Sequence, residues 1–187
     1  MIIRVTSGKG TGPTEVSAFD AALLDAGIGD YNLIALSSVI PVGSRVVVEK
    51  LKRNTEEIGW KLHLVYSKSS AHSSGKPAYT GLGWAVRKDG SGVFIEEDGT
   101  RDTYVDIECC IVGKQESFRV KHYSDEEEVR SRIMKGLEHM IRNRGERVSD
   151  FNINTLVEGI ICEADPVCAI VAAFYESEGW KQTAENQ

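Results

Sequence analysis

Residues 18–41 read AFDAALLDAGIGDYNLIALSSVIP, and the architecture can be built outward from them. From Thr14 onward Val16, Phe19, Leu23 and Ala26 recur at helical spacing, which predicts an amphipathic helix with those four on one face. Gly27 and Gly29 stop it. Tyr31–Leu36 is a compact apolar run that reads as a buried strand. It ends in Ser37-Ser38, and Pro41 stops ladder pairing because proline has no N–H to donate.

Toward the N-terminus, Ile2–Val5 suits a short strand, and SGKGTGP (Ser7–Pro13) reads as a loop by composition. Toward the C-terminus, strands are expected over Arg45–Val48, Trp60–Tyr66, Thr80–Arg87 and Val93–Glu97. KSSAHSSGKP (Lys68–Pro77) is expected as a hairpin loop or flexible flap, and Tyr104–Val112 and Ser117–Val120 as two strands around a Gly113 turn. A long helix follows. Ser124 with Glu127 makes a capping box, Val129, Ile133, Leu137, Met140 and Ile141 form the apolar stripe, and Gly145 terminates it. Thr155–Glu163 and Val167–Tyr175 are two β-rich runs joined by an Asp165-Pro166 turn, and KQTAENQ closes the chain as a polar tail, disordered by composition. No repeat or linker divides residues 1–187, so a single α+β domain is expected, sheet packed on sheet with helices outside.

With 187 residues, 41% hydrophobic and 27% charged, the chain can bury one core. Its net charge of -6 argues against a phosphate-backbone partner, so no nucleic acid is expected. No apolar stretch approaches a membrane span, and the N-terminal MIIRVTSGKGTGP turns polar too early for a signal peptide. Cys109 and Cys110 are adjacent, and Cys162 and Cys168 form no CxxC, so the four read as small buried hydrophobes in a reducing cytoplasm. His63, His72, His122 and His139 show no helical ligand spacing, and no metal site is expected. GKGTG (Gly8–Gly12) lacks the GK[ST] of a phosphate-binding loop. A nucleotide-binding reading built on it would predict protection of that loop by ATP.

The quoted stretch resembles the self-cleavage segment of the pyruvoyl-dependent arginine decarboxylases. The matching features are the FDAALL helix, the GIG turn, Asn32-Leu33-Ile34, and Ser37-Ser38 followed by two aliphatics and a proline. The resemblance continues more loosely through GWAVRKDGSGVFIEEDG (Gly83–Gly99), the long helix and the C-terminal strands. It implies a four-layer α/β/β/α sandwich and a chain that cuts itself into residues 1–37 and 38–187. The Ser38 hydroxyl attacks the Ser37 carbonyl, and elimination and hydrolysis leave a covalent pyruvoyl group at position 38. That ketone forms a Schiff base with the amino-acid substrate and withdraws the electrons released with carbon dioxide, the role PLP plays elsewhere.

The resemblance also assigns roles. Glu96 matches the acid that reprotonates the product. Strand alternation puts it on the face of Phe94, toward the interior, where desolvation would raise its pKa. Glu97 and Asp98 beside it are the register competitors. Asp20, in the helix row Val16–Asp20–Leu24, matches the residue that contacts the substrate guanidinium and is expected half-buried at the rim of the apolar stripe. Asn32 matches a residue tied to processing and substrate contact. Six extended residues span ~20 Å, so either the strand bends sharply or Asn32 faces Ser38 of another subunit, and the resemblance implies a homotrimer with sites between subunits. One departure stands out: compact members run almost directly from the acid-bearing strand into the long helix, whereas this chain inserts Thr100–His122, expected as a hairpin. Decarboxylation of another amino acid, and a non-catalytic relative retained for binding or structure, therefore stay open beside the arginine reading.

Overall fold

The computed structural model describes residues 1–98 and 125–180. In chain order the elements are β1 (Ile2–Thr11), α1 (Glu15–Asp25), β2 (Asn32–Ala35), β3 (Val39–Ile40), β4 (Arg45–Val48), β5 (Lys61–Ala71), β6 (Pro77–Arg87), β7 (Gly92–Asp98), α2 (Glu126–Asn143), β8 (Phe151–Ile161) and β9 (Val167–Glu178). They form a five-stranded sheet, β2-β5-β9-β1-β4, and a four-stranded sheet, β3-β7-β6-β8. In the first, β1–β4 and β2–β5 are parallel and β9 is antiparallel to both β1 and β5. The second is antiparallel throughout.

Side-chain alternation makes each strand two-faced, and that fixes the layering. Ile3, Val5, Val65, Val171, Ala173 and Tyr175 point from the first sheet onto Ile40, Leu82, Trp84 and Phe94 of the second. The opposite face of the first sheet, with Leu62, Leu64, Cys168, Ile170 and Ala172, is covered by Ala18, Ala22, Leu23 and Ala26 of the α1 segment. The opposite face of the second, with Ala85 and Val93, is covered by Val129, Ile133, Leu137 and Ile141 of α2. The result is the expected α/β/β/α sandwich.

Several local expectations are corrected. SGKGTGP is not a loop: β1 runs on to Thr11, paired with β9. Its glycines are there because α1 presses onto them. A Cβ on Gly8 would lie 2.3 Å from the Ala22 carbonyl oxygen, and one on Gly10 would lie 2.5 Å from the Ala22 nitrogen. For the same reason the buried face of α1 is largely alanine; of the expected stripe Phe19, Leu23 and Ala26 do pack there, whereas Val16 is 78% exposed. Lys68–Pro77 is not a hairpin either: β5 continues to Ala71, β6 begins at Pro77, and the two belong to different sheets. The α2 N-cap is Asp125, whose side chain accepts from the Glu128 N–H at 2.9 Å; Ser124 lies outside the described residues. So do Cys109 and Cys110, the Thr100–His122 insertion with its two expected strands, and the KQTAENQ tail. Cys162 and Cys168 are buried. No helix among the described residues is long and apolar enough to cross a membrane.

Candidate active site

The Ser37-Ser38 pair sits where the chain leaves one sheet for the other. On the N-terminal side, β2 pairs in parallel with β5, and the Leu36 N–H still donates to the Leu64 carbonyl at 2.9 Å. On the C-terminal side, the Phe94 N–H of β7 donates to the Ser38 carbonyl at 2.9 Å, after which Val39 and Ile40 pair with Val93 and Gly92. Only Ser37 lies between the two anchored residues. It is exposed, Ser38 is half-buried, and Ile40 is buried in the inter-sheet core. The Val39 N–H donates to the Ser37 carbonyl at 2.8 Å, closing a three-residue turn around Ser38.

Glu96 stands two residues along β7 from Phe94, a rise of ~6.6 Å on the same face. Its cross-strand partner is Leu82, which packs between the sheets. Alternation thus turns Glu96 toward the inter-sheet side, but the side chain is exposed there rather than interior. The surrounding protein nonetheless desolvates the carboxyl enough to raise its pKa. Glu97 faces the other way, toward α2, and pairs with Arg132 Nε at 2.7 Å. Of these two acids, then, only Glu96 shares a side with Ser38.

Asp20 and Asn32 are elsewhere in the protomer. Asp20 is exposed, not half-buried, on the outward face of α1 between Val16 and Leu24, the latter 48% exposed. The first sheet stands between it and the inter-sheet core. Asn32 begins β2 opposite Lys61, so the straight parallel run to Leu36 alone separates it from the serines by ~13 Å. Its backbone N–H donates to the Trp60 carbonyl at 2.8 Å, and its Nδ2 donates to the Gly59 carbonyl at 2.6 Å. The indole N–H of Trp180 donates to that same carbonyl at 2.9 Å.

Sequence reasoning missed Tyr175. Its hydroxyl donates to the Val39 carbonyl at 3.0 Å, one residue past Ser38, and its ring packs on Phe94 with centroids 6.2 Å apart. The available signal was a single polar-tipped aromatic on a strand face otherwise made of small residues, Val171 and Ala173.

Comparison with known proteins bears on what this arrangement is. The chain is similar to the pyruvoyl-dependent arginine decarboxylase of Halobacterium salinarum (strain R1), 38% identical over 106 residues, covering 56% of this chain and 66% of that protein. It is similar to the pyruvoyl-dependent arginine decarboxylase of Methanothermobacter thermautotrophicus, 55% identical over 47 residues, which is 25% of this chain and 31% of the relative. The match to the pyruvoyl-dependent arginine decarboxylase of Thermococcus sibiricus is longer and weaker, 29% over 161 residues, 86% of this chain and 85% of the relative. The chain thus spans less than two thirds of the length of the first two of these relatives. Residues 2–109, which include Asp20, Asn32, Ser37, Ser38 and Glu96, match the pattern of one family as a whole. A serine pair strung between two sheets, an acid on the adjoining strand and that match lead to one assignment: the chain belongs to the pyruvoyl-dependent arginine decarboxylase family.

Proposed function

We propose that this protein is a self-processing decarboxylase that converts L-arginine to agmatine and carbon dioxide. The observation that carries the reading is the crossover itself: among the described residues, Ser37-Ser38 is the one serine pair held between anchoring hydrogen bonds to opposite sheets, with the Ser37 carbonyl engaged by the Val39 N–H. Attack by the Ser38 hydroxyl closes a five-membered ring on that carbonyl and yields an ester. Elimination frees the Ser37 carboxylate, and addition of water with loss of ammonia leaves a pyruvoyl group at residue 38.

The residues present fit that group. It needs a hydroxyl one carbon from the backbone, a partly buried position and a neighbouring proton source, and Ser38 and Glu96 supply them. The pyruvoyl group supplies an electron sink for the bond to the departing carboxylate. Glu96 holds the proton that the product α-carbon needs, and its raised pKa keeps that proton in place to higher pH than an ordinary glutamate would. Asp20 offers a carboxylate to a guanidinium, whose paired donors match it in a fork. Because Asp20 and Asn32 sit away from Ser38 in one protomer, we read them as serving a neighbour's site in a homotrimer. The exposed Val16 and Leu24 beside Asp20 support burial of that face between subunits. We read the enzyme as cytoplasmic, in keeping with the family.

Intact-mass spectrometry of purified protein, with and without Ser38→Ala, tests this. Two fragments ending at Ser37 and beginning at a pyruvoyl residue are expected for the wild type, with carbon dioxide released from arginine. A single uncut wild-type chain sinks the reading.

A further inference from the structure

The turn around Ser38 is held from both sheets. The Phe94 N–H pins the Ser38 carbonyl from the second sheet, and the Tyr175 hydroxyl pins the Val39 carbonyl from the first. The hydrogen-bonded register between β3 and β7 falls on Ser38 opposite Phe94, so the N–H of Val39, one residue on, points away from the ladder. It is directed instead at the Ser37 oxygen, 2.8 Å away.

We propose that Tyr175 is a positioning residue for self-cleavage: by holding the Val39 carbonyl, it keeps the Val39 N–H aimed at the oxygen where charge develops. The inference rests on the self-processing reading above. As the Ser38 oxygen bonds to the Ser37 carbonyl carbon, the carbonyl π electrons move onto the oxygen, and a preplaced backbone N–H stabilises them. The carbon–nitrogen bond then breaks, and the Ser38 nitrogen takes the proton that the hydroxyl gives up. Tyr175 suits the task. It is 9% exposed, its ring is fixed against Phe94, and burial pushes its hydroxyl up to about 12, so it remains a donor throughout the neutral range.

Tyr175→Phe keeps the ring and deletes the hydroxyl. Newly synthesised full-length chain is followed by intact mass, with and without hydroxylamine, which cuts an accumulated ester. Melting temperatures are compared in a Ser38→Ala background. The expected result is cleavage slowed roughly tenfold at an unchanged melting temperature, with no rescue by hydroxylamine because ester formation itself is slow. Val39→Pro, which removes the N–H directly, is expected to slow cleavage further, and it decides the matter should Tyr175→Phe fold poorly. Cleavage of either variant within about twofold of wild type overturns the proposal. So does a slow Tyr175→Phe chain that hydroxylamine restores to the wild-type rate, which would put the defect after the ester. A wild-type chain that never cuts overturns the underlying reading, and this one with it.

Discussion

The two helices cover equivalent faces of the two sheets, yet they do so by opposite means. α1 brings alanines down onto β-strand glycines until backbone nearly meets backbone, with Ala22 against Gly8 and Gly10. α2 stands off on large aliphatic side chains, Ile133 and Leu137, seated over Gly81 and Gly83. Their outward faces differ too. α2 turns charge to solvent in the i,i+4 pairs Glu126–Arg130 and Glu138–Arg142. α1 turns out Val16 and Leu24 on either side of Asp20, with Glu15 and Asp25 exposed at its two ends. α2 is thus built for one neighbour, its own sheet. α1 has a tight inner contact and, flanking Asp20, two exposed aliphatic side chains that ask for another.

The contrast can be broken at three places. The largest effect is expected for Gly8→Ala, whose new Cβ collides with helix backbone that cannot rotate away; a loss of about 3 kcal/mol or more should show in thermal unfolding of Ser38→Ala protein. A loss under about 1 kcal/mol would mean that α1 can lift off its sheet as easily as a side chain turns. Next is Asp20→Asn, expected to lower kcat/KM for arginine about 100-fold while leaving self-cleavage intact. Unchanged arginine turnover would remove the guanidinium assignment, and turnover of a neutral amino acid would name the competing substrate class. The smallest effect is expected for Gly136→Ala in α2. There the Cβ meets only the Cδ1 end of Ile95, 2.2 Å away, which can swing aside, and the gain in helix propensity offsets the adjustment. Stability should stay within about 1 kcal/mol of the parent by the same thermal measurement.

The sequence was readable wherever one residue type has one job. The long aliphatic stripe of α2 and the alternation that puts Glu96 on the face of Phe94 could be taken straight from spacing. Glycine defeated the reading in β1, because a residue that usually marks a turn served here to admit a helix. On α1 the helical spacing holds at Phe19, Leu23 and Ala26 and fails at Val16, because the closest packing is made by the small Ala18 and Ala22. Ser37-Ser38 was located by its neighbours in sequence, but that it bridges two sheets is a tertiary fact no local pattern carries. Tyr175 belongs to the same class, since its partner Val39 lies 136 positions away.

The crossover has a consequence for the protein's later life. The segment before Ser38 supplies β1, lodged between β9 and β4, and β2 at the edge of the same sheet. Scission would therefore free neither piece, and the short peptide would remain an inner rib of the body it was cut from. Denaturation, however, would scatter two molecules where synthesis had made one, and reassembly would depend on their meeting in dilute solution. Such a protein has one intramolecular chance to fold, and its durability afterwards depends on how slowly it opens.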